Sequence, residues 1–307
     1  KKLPEKVGGL QKALDPSKRE GVIRAPMPKD FLFGPSKSRG QTEKLRRQLA
    51  IAKAPVTWDV ALRAADAGKK VVLFSTYTAV LDEFGKLAED EGLLYVEVRG
   101  STSLLGKKLA VAMLQGDTLN GEEEEYARGH FGDWYVDLVY KKPYDEWDKD
   151  SLKAATKRFG KDRSQWPRMV SIFLGQMVAA SEGVTLTQAD TLLFNDLDYM
   201  PSRHLQAEDR IYRLSKKGAP PHKSVYIGYV LADSPLDQYL AALLFEKSGE
   251  IDDVYGGISS EPEKVAQRIR KEYLEQLKDA QRSYKAGRKR KRKRKGRRRN
   301  PMGGIEL

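Results

Sequence analysis

Apolar positions recur in two rhythms along the chain. The segment 70–75, Lys-Val-Val-Leu-Phe-Ser, is a short β-branched run without polar alternation, the pattern of a strand buried on both faces. Further strand candidates are 93–98, 169–174, 191–195 and 224–230. Between them the period lengthens to that of a helix. Val80, Phe84, Leu87 and Ala88 share one face of a helix predicted from 79 to 91, and another is predicted over 104–114. Upstream, Leu45, Leu49 and Ala52, then Val60, Leu62 and Ala65 after a break at Pro55, predict helical structure from about 42 until Gly68 closes the run. A last helix is predicted over 262–286, around Val265, Ile269, Tyr273 and Leu277. Strand, helix and strand in succession make a right-handed crossover, so the fold class is α/β with a parallel sheet and flanking helices.

Three stretches fall outside this rhythm. Residues 1–41 are rich in Lys, Pro and Gly with little periodicity, and read as an irregular lead-in or the remnant of a preceding domain. Residues 116–168 are charged and aromatic, with an acidic run at Glu122–Glu125 that reads as a solvated face, and with Trp134, Trp147 and Trp166. A structureless loop of that length is unusual in a compact domain, so an insertion with its own structure is expected. Its tryptophans could pack as a core or stack on nucleic-acid bases. The core domain then runs over 42–256, and 257–307 form a C-terminal helix and tail.

Charge alters the picture at one place. The net charge is +13, yet 11 basic residues lie in the 12 positions 288–299, which leaves +2 for the rest. Such a block, with Arg288, Lys289, Arg290, Lys291, Arg292, Lys293 and Arg294 at its head, repels itself and is expected to order only on a polyanion. It reads as a nucleic-acid contact, a nuclear-import signal or a solubilising tail. There is no cysteine, and His130, His204 and His222 are scattered, so no metal site is expected. No apolar run approaches a membrane span and no signal pattern opens the chain, so an intracellular, membrane-free protein is expected, in the cytoplasm or nucleoid, or in the nucleus of a eukaryote or nuclear virus. Lys1 in place of methionine suggests a trimmed, processed or fragmentary chain.

Candidate chemistry concentrates in 191–213. Gln206, Arg210 and Arg213 are spaced by four and three, one face of a helix. Two guanidinium forks there can address one anion, although by spacing alone such a face is far more often a solvated one. Gln-Ala-Glu-Asp-Arg-Ile-Tyr-Arg at 206–213 resembles motif VI of the Snf2 family of superfamily 2 helicases and translocases. The resemblance extends upstream in order: 172–187 is similar to motif V, 71–77 to motif IV, and Arg99-Gly100-Ser101-Thr102 to the motif after it. Tyr199-Met200-Pro201 departs from the family's aromatic-Asn-Pro turn, and Leu214–Gly218 from the Gly-Gln that often follows the second arginine.

The resemblance implies a C-terminal RecA-like lobe acting on double-stranded DNA. It implies Arg210 and Arg213 as arginine fingers, with Gln206, Gly183 and Glu182 at the nucleotide. It places Thr76, Gly100, Ser101, Thr102, Gln176 and Ser181 along the DNA backbone. A Gly-x-x-x-x-Gly-Lys-Ser/Thr loop and an acidic strand end for Mg²⁺ are missing from the sequence. ATP and Mg²⁺ are therefore expected on an N-terminal RecA-like lobe supplied in cis or in trans, and the isolated chain is not expected to hydrolyse ATP. A non-catalytic nucleic-acid-binding protein acting through its basic tail is the alternative.

Overall fold

The computed structural model describes residues 5–10, 21–25, 39–167, 169–180, 184–212 and 224–234, with 236, 237, 240, 241 and 244. Their strands form one parallel sheet. The five strands foreseen in the sequence are β3 (Val71–Ser75), β4 (Tyr95–Val98), β5 (Ile172–Gln176), β6 (Thr191–Phe194) and β7 (Ser224–Ala232), in the spatial order β7-β6-β3-β5-β4. Two more, β1 (Glu5–Gly8) and β2 (Val22–Ala25), come from the stretch read as an irregular lead-in. They lie end to end along the free edge of β7, Glu5 opposite Ser224 and Val22 opposite Tyr229. Gly8 and Gly21 stand where the two fragments meet, at φ +84° and +82°. A Cβ on either would collide with the carbonyl oxygen of Ile227, so only glycine allows this junction.

The absence of polar alternation in β3, β5 and β6 follows from burial on both faces. Val71, Leu73, Ile172, Leu174 and Leu193 point to one side, against α1 (Arg39–Asp66) and α2 (Thr78–Asp90). Val72, Phe74, Phe173, Leu192 and Phe194 point to the other. There they meet α3 (Leu104–Gln115), the insertion and, further on, the helix at 201–211. Helix α1 runs through Pro55, where the sequence predicted a break. The ring removes the hydrogen bond to the carbonyl of Ile51, on the exposed side of the helix, while Ala54 and Trp58 on either side of Pro55 stay packed on the sheet.

The insertion is helical, with α4 (Gly121–Phe131), α5 (Asp133–Val139) and α6 (Lys149–Phe159). Asn120 and Glu123 form a capping box on α4, and Asp148 caps α6 through the N–H groups of Asp150 and Ser151. Trp147 and Trp166 are buried with ring centroids 6.0 Å apart, each indole N–H donating to a backbone carbonyl (Lys142 and Gly160), and Trp134 packs at the same core's margin. Packing, rather than display to a ligand, occupies these rings. Among the described residues no helix is long and apolar enough to cross a membrane.

Candidate functional site

Because every pairing in the sheet is parallel, all strand carboxyl ends emerge on one edge, where open α/β sheets place their ligands. That edge collects Thr76 after β3, the turn 99–102 after β4, Gln176 at the end of β5 and the segment 195–200 after β6. Gln176 leads directly into the single turn of α7 (Met177–Ala180). Gly100 N–H donates to Gln176 Oε1 at 2.9 Å, bridging two neighbouring strand ends. Thr102 closes the turn on itself: its hydroxyl accepts from Arg99 N–H at 2.9 Å and its N–H donates to Arg99 C=O at 3.0 Å. Ser101 is exposed at the tip. Arg99 is held by Glu97 and, at 2.6 Å, by Asp82. Five residues assigned to a DNA track by sequence, Thr76, Gly100, Ser101, Thr102 and Gln176, thus share three adjacent strand ends.

The segment 195–200 is fixed from three sides. The Asp196 carboxylate accepts from the Ser75 hydroxyl at 2.5 Å, the Thr76 N–H at 2.9 Å and the Thr76 hydroxyl. Helix α1 grips the same segment: Thr57 donates to Asn195 Oδ1 at 2.6 Å, Asn195 Nδ2 donates to Ala50 C=O at 2.9 Å, and Arg46 donates to Leu197 C=O while lying 4.0 Å from the centre of the Tyr199 ring. Lys53, 2% exposed, completes the helix face by pairing with Asp237 at 2.7 Å and donating to Val230 C=O. Of these polar residues only Thr76 was given a role from the sequence, with Asp196 noted as the head of a segment, 196–201, that resembles the family's. The spacing of Arg46, Lys53 and Thr57 by seven and four was the available signal, since it puts all three on one side of a helix otherwise read for its apolar positions.

The third side is α8 (Pro201–Ile211), with proline at its first position. Asp198 accepts from Met200 N–H at 2.9 Å and pairs with Arg203 at 2.8 Å, while its own N–H donates to His204 Nε2 at 3.0 Å. His204, Ala207, Glu208 and Ile211 are buried, and Glu208 accepts from the Tyr229 hydroxyl at 2.7 Å. Burial pushes the His204 imidazolium below its ordinary range. The outer side of the helix carries Gln206, exposed, and Arg210, half-buried one turn on. Leu186 N–H donates to Arg210 C=O at 2.8 Å, which ties the end of the motif V stretch to the arginine helix. Arg213, Ser181, Glu182, Gly183 and the tail residues Arg288–Arg294 lie outside the described residues.

No protein-family model matches the chain. Curated relatives do match part of it. The "SWI/SNF-related matrix-associated actin-dependent regulator of chromatin subfamily A-like protein 1" of Xenopus tropicalis is 37% identical over 71 residues, 23% of this chain and 7% of that protein. The Bos taurus protein of the same description matches to the same extent. The Caenorhabditis elegans homologue is 29% identical over 98 residues, 32% of this chain and 13% of the relative. The chain therefore spans a small fraction of the relatives' length. Among solved structures, "Crystal structure of the C-terminal part of Fun30 ATPase domain" aligns with a TM-score of 0.39 and 16% identity, covering 70% of this chain and 50% of that one. Over the stretch they match, the chain is similar to these SWI/SNF-related proteins of the Snf2 family.

Proposed function

We propose that the chain is the second motor lobe of an ATP-dependent, Snf2-type translocase on double-stranded DNA. ATP and Mg²⁺ are held mainly by a nucleotide-binding lobe present in cis or in trans, and Arg210 and Arg213 reach the phosphates from this side. In support, Gln206 is exposed and Arg210, half-buried, follows it one turn on along α8. A guanidinium aimed at the transferred phosphoryl group stabilises charge that grows in the transition state, so it acts on kcat rather than on ATP binding. The DNA strand runs along Thr76, Gly100, Ser101, Thr102 and Gln176, with Ser181 nearby, while Gly183 and Glu182 approach the nucleotide.

The observation that carries this reading is the convergence of motif-bearing strand ends on one edge of the sheet, in the order the family resemblance requires. The experiment is the DNA-stimulated ATPase of the two-lobe assembly with Arg213→Ala. A loss of about 10³-fold in kcat with little change in ATP affinity is expected, the lower end of arginine-finger effects. Activity indifferent to the change removes the motor reading. The basic block at 288–299 favours a second reading, a non-catalytic nucleic-acid-binding protein.

A further inference from the structure

The hydrogen bonds around Asp196 join the two halves of the site. Thr76 stands at the end of β3, on the side assigned to DNA, and Gln206 and Arg210 stand on α8, on the side assigned to nucleotide. Asp196 is 120 residues from Thr76 in sequence, yet its carboxylate takes both the N–H and the hydroxyl proton of Thr76, as well as the hydroxyl of Ser75, whose oxygen in turn accepts from Tyr77 N–H at 3.1 Å. Two residues on, Asp198 accepts from Met200 N–H just ahead of α8 and is bound by His204 and Arg203 of that helix. Asn195 and Leu197 between and beside them are anchored to α1. Every residue from 195 to 198 therefore has a fixed partner. The segment is a strut with the Thr76 turn at one end and the arginine helix at the other.

We propose that Asp196 is a positioning residue: it sets the Thr76 turn in fixed register with the helix that carries Gln206 and Arg210, so that DNA seated on one and nucleotide addressed by the other belong to a single rigid unit. This rests on the motor reading above. One consequence concerns Thr76 itself. A hydroxyl has one proton, and here Asp196 holds both it and the backbone N–H, so Thr76 has no donor left for a DNA phosphate and acts by fixing the turn after β3.

The test is steady-state ATPase of the two-lobe assembly titrated with duplex DNA, comparing Asp196→Asn, Thr76→Val and the double variant. Asparagine keeps the size and one acceptor oxygen but cannot take all three donors. The DNA concentration for half-maximal stimulation is expected to rise about tenfold, the scale of one lost charged acceptor, with the KM for ATP unchanged. Thr76→Val is expected to raise the same quantity, and the double variant to be no worse than Asp196→Asn alone, because both remove one interaction. A role confined to folding would lower kcat through fewer active molecules and leave the half-maximal DNA concentration where it was. That result, or additive effects in the double variant, overturns the proposal. Arg213→Ala in parallel separates the cases: if it is silent the motor reading itself fails, and if it abolishes turnover while Asp196→Asn changes nothing, only the positioning role is lost.

Discussion

His204 shows how far a single residue can be read once its surroundings are known. In the sequence it is one of three scattered histidines; in the fold it is fully buried at the foot of the arginine helix, edge-on to Phe194 and beside Tyr229. Nε2 accepts from Asp198 N–H, so the neutral ring carries its proton on Nδ1, which has no hydrogen-bond partner among the described residues. Burial lowers the folded pKa, and the sign of the linkage follows. Above the unfolded value of about 6.5 the ring is neutral in both states and the stability is complete. Below it the unfolded chain binds a proton that the folded one refuses, so stability falls with pH until the lowered folded value is reached, by at most about 1.4 kcal/mol per pH unit. Urea unfolding at pH 7 and pH 5 should show a larger loss for the wild-type chain than for His204→Gln. Equal losses in the two proteins would mean that this imidazole is charged, or accessible, in the native state.

At the scale of elements, the insertion separates two roles for the same side chains. If Trp147 and Trp166 serve the core, Trp147→Ala should destabilise by about 3–5 kcal/mol through the cavity it leaves. DNA affinity of the folded fraction should stay unchanged, whereas a base-stacking tryptophan would cost about 1–3 kcal/mol of binding. Chemical denaturation and a duplex titration on the same variant decide it, and the Trp166→Phe variant, which keeps a large ring, should be milder in the first and silent in the second. The core strands were legible because burial on both faces leaves an unbroken apolar run, and α2 and α3 because one apolar stripe is enough to mark a helix. β1 and β2 were not, since four-residue edge strands broken by glycine carry no period, and only their pairing with β7 defines them. Pro55 misled for a related reason: a local rule about the backbone gave way to packing on either side of it. In the site, the strand-end residues were legible through their motifs. The links between them were not, because Thr57 with Asn195, Lys53 with Asp237 and Thr76 with Asp196 are more than a hundred residues apart and become neighbours only when the sheet closes.

For the whole molecule the governing feature is how unevenly its charge is distributed. With 11 of the excess positive charges in 288–299 and +2 elsewhere, the charge that would attract a polyanion and the proposed site at the sheet edge reside in different parts of the chain. Counterion release sets the scale, since each phosphate neutralised on duplex DNA adds about 0.9 to the slope of log affinity against log salt. Engagement of the whole block would give a slope near −10, and loss of about 10³-fold or more between 50 and 200 mM salt. Removing 257–307 should therefore flatten the salt dependence sharply and abolish binding near 0.15 M salt, as measured by fluorescence anisotropy with a labelled duplex. The same deletion discriminates between the two readings of function. In a motor, the contacts at Thr76, Gly100–Thr102 and Gln176 remain, so at low salt the truncated lobe, assembled with its partner, should still give DNA-stimulated ATP hydrolysis with kcat close to that of the intact chain and only the required DNA concentration raised. In a tail-driven binding protein the sheet edge is idle, and nothing measurable survives the deletion at any salt.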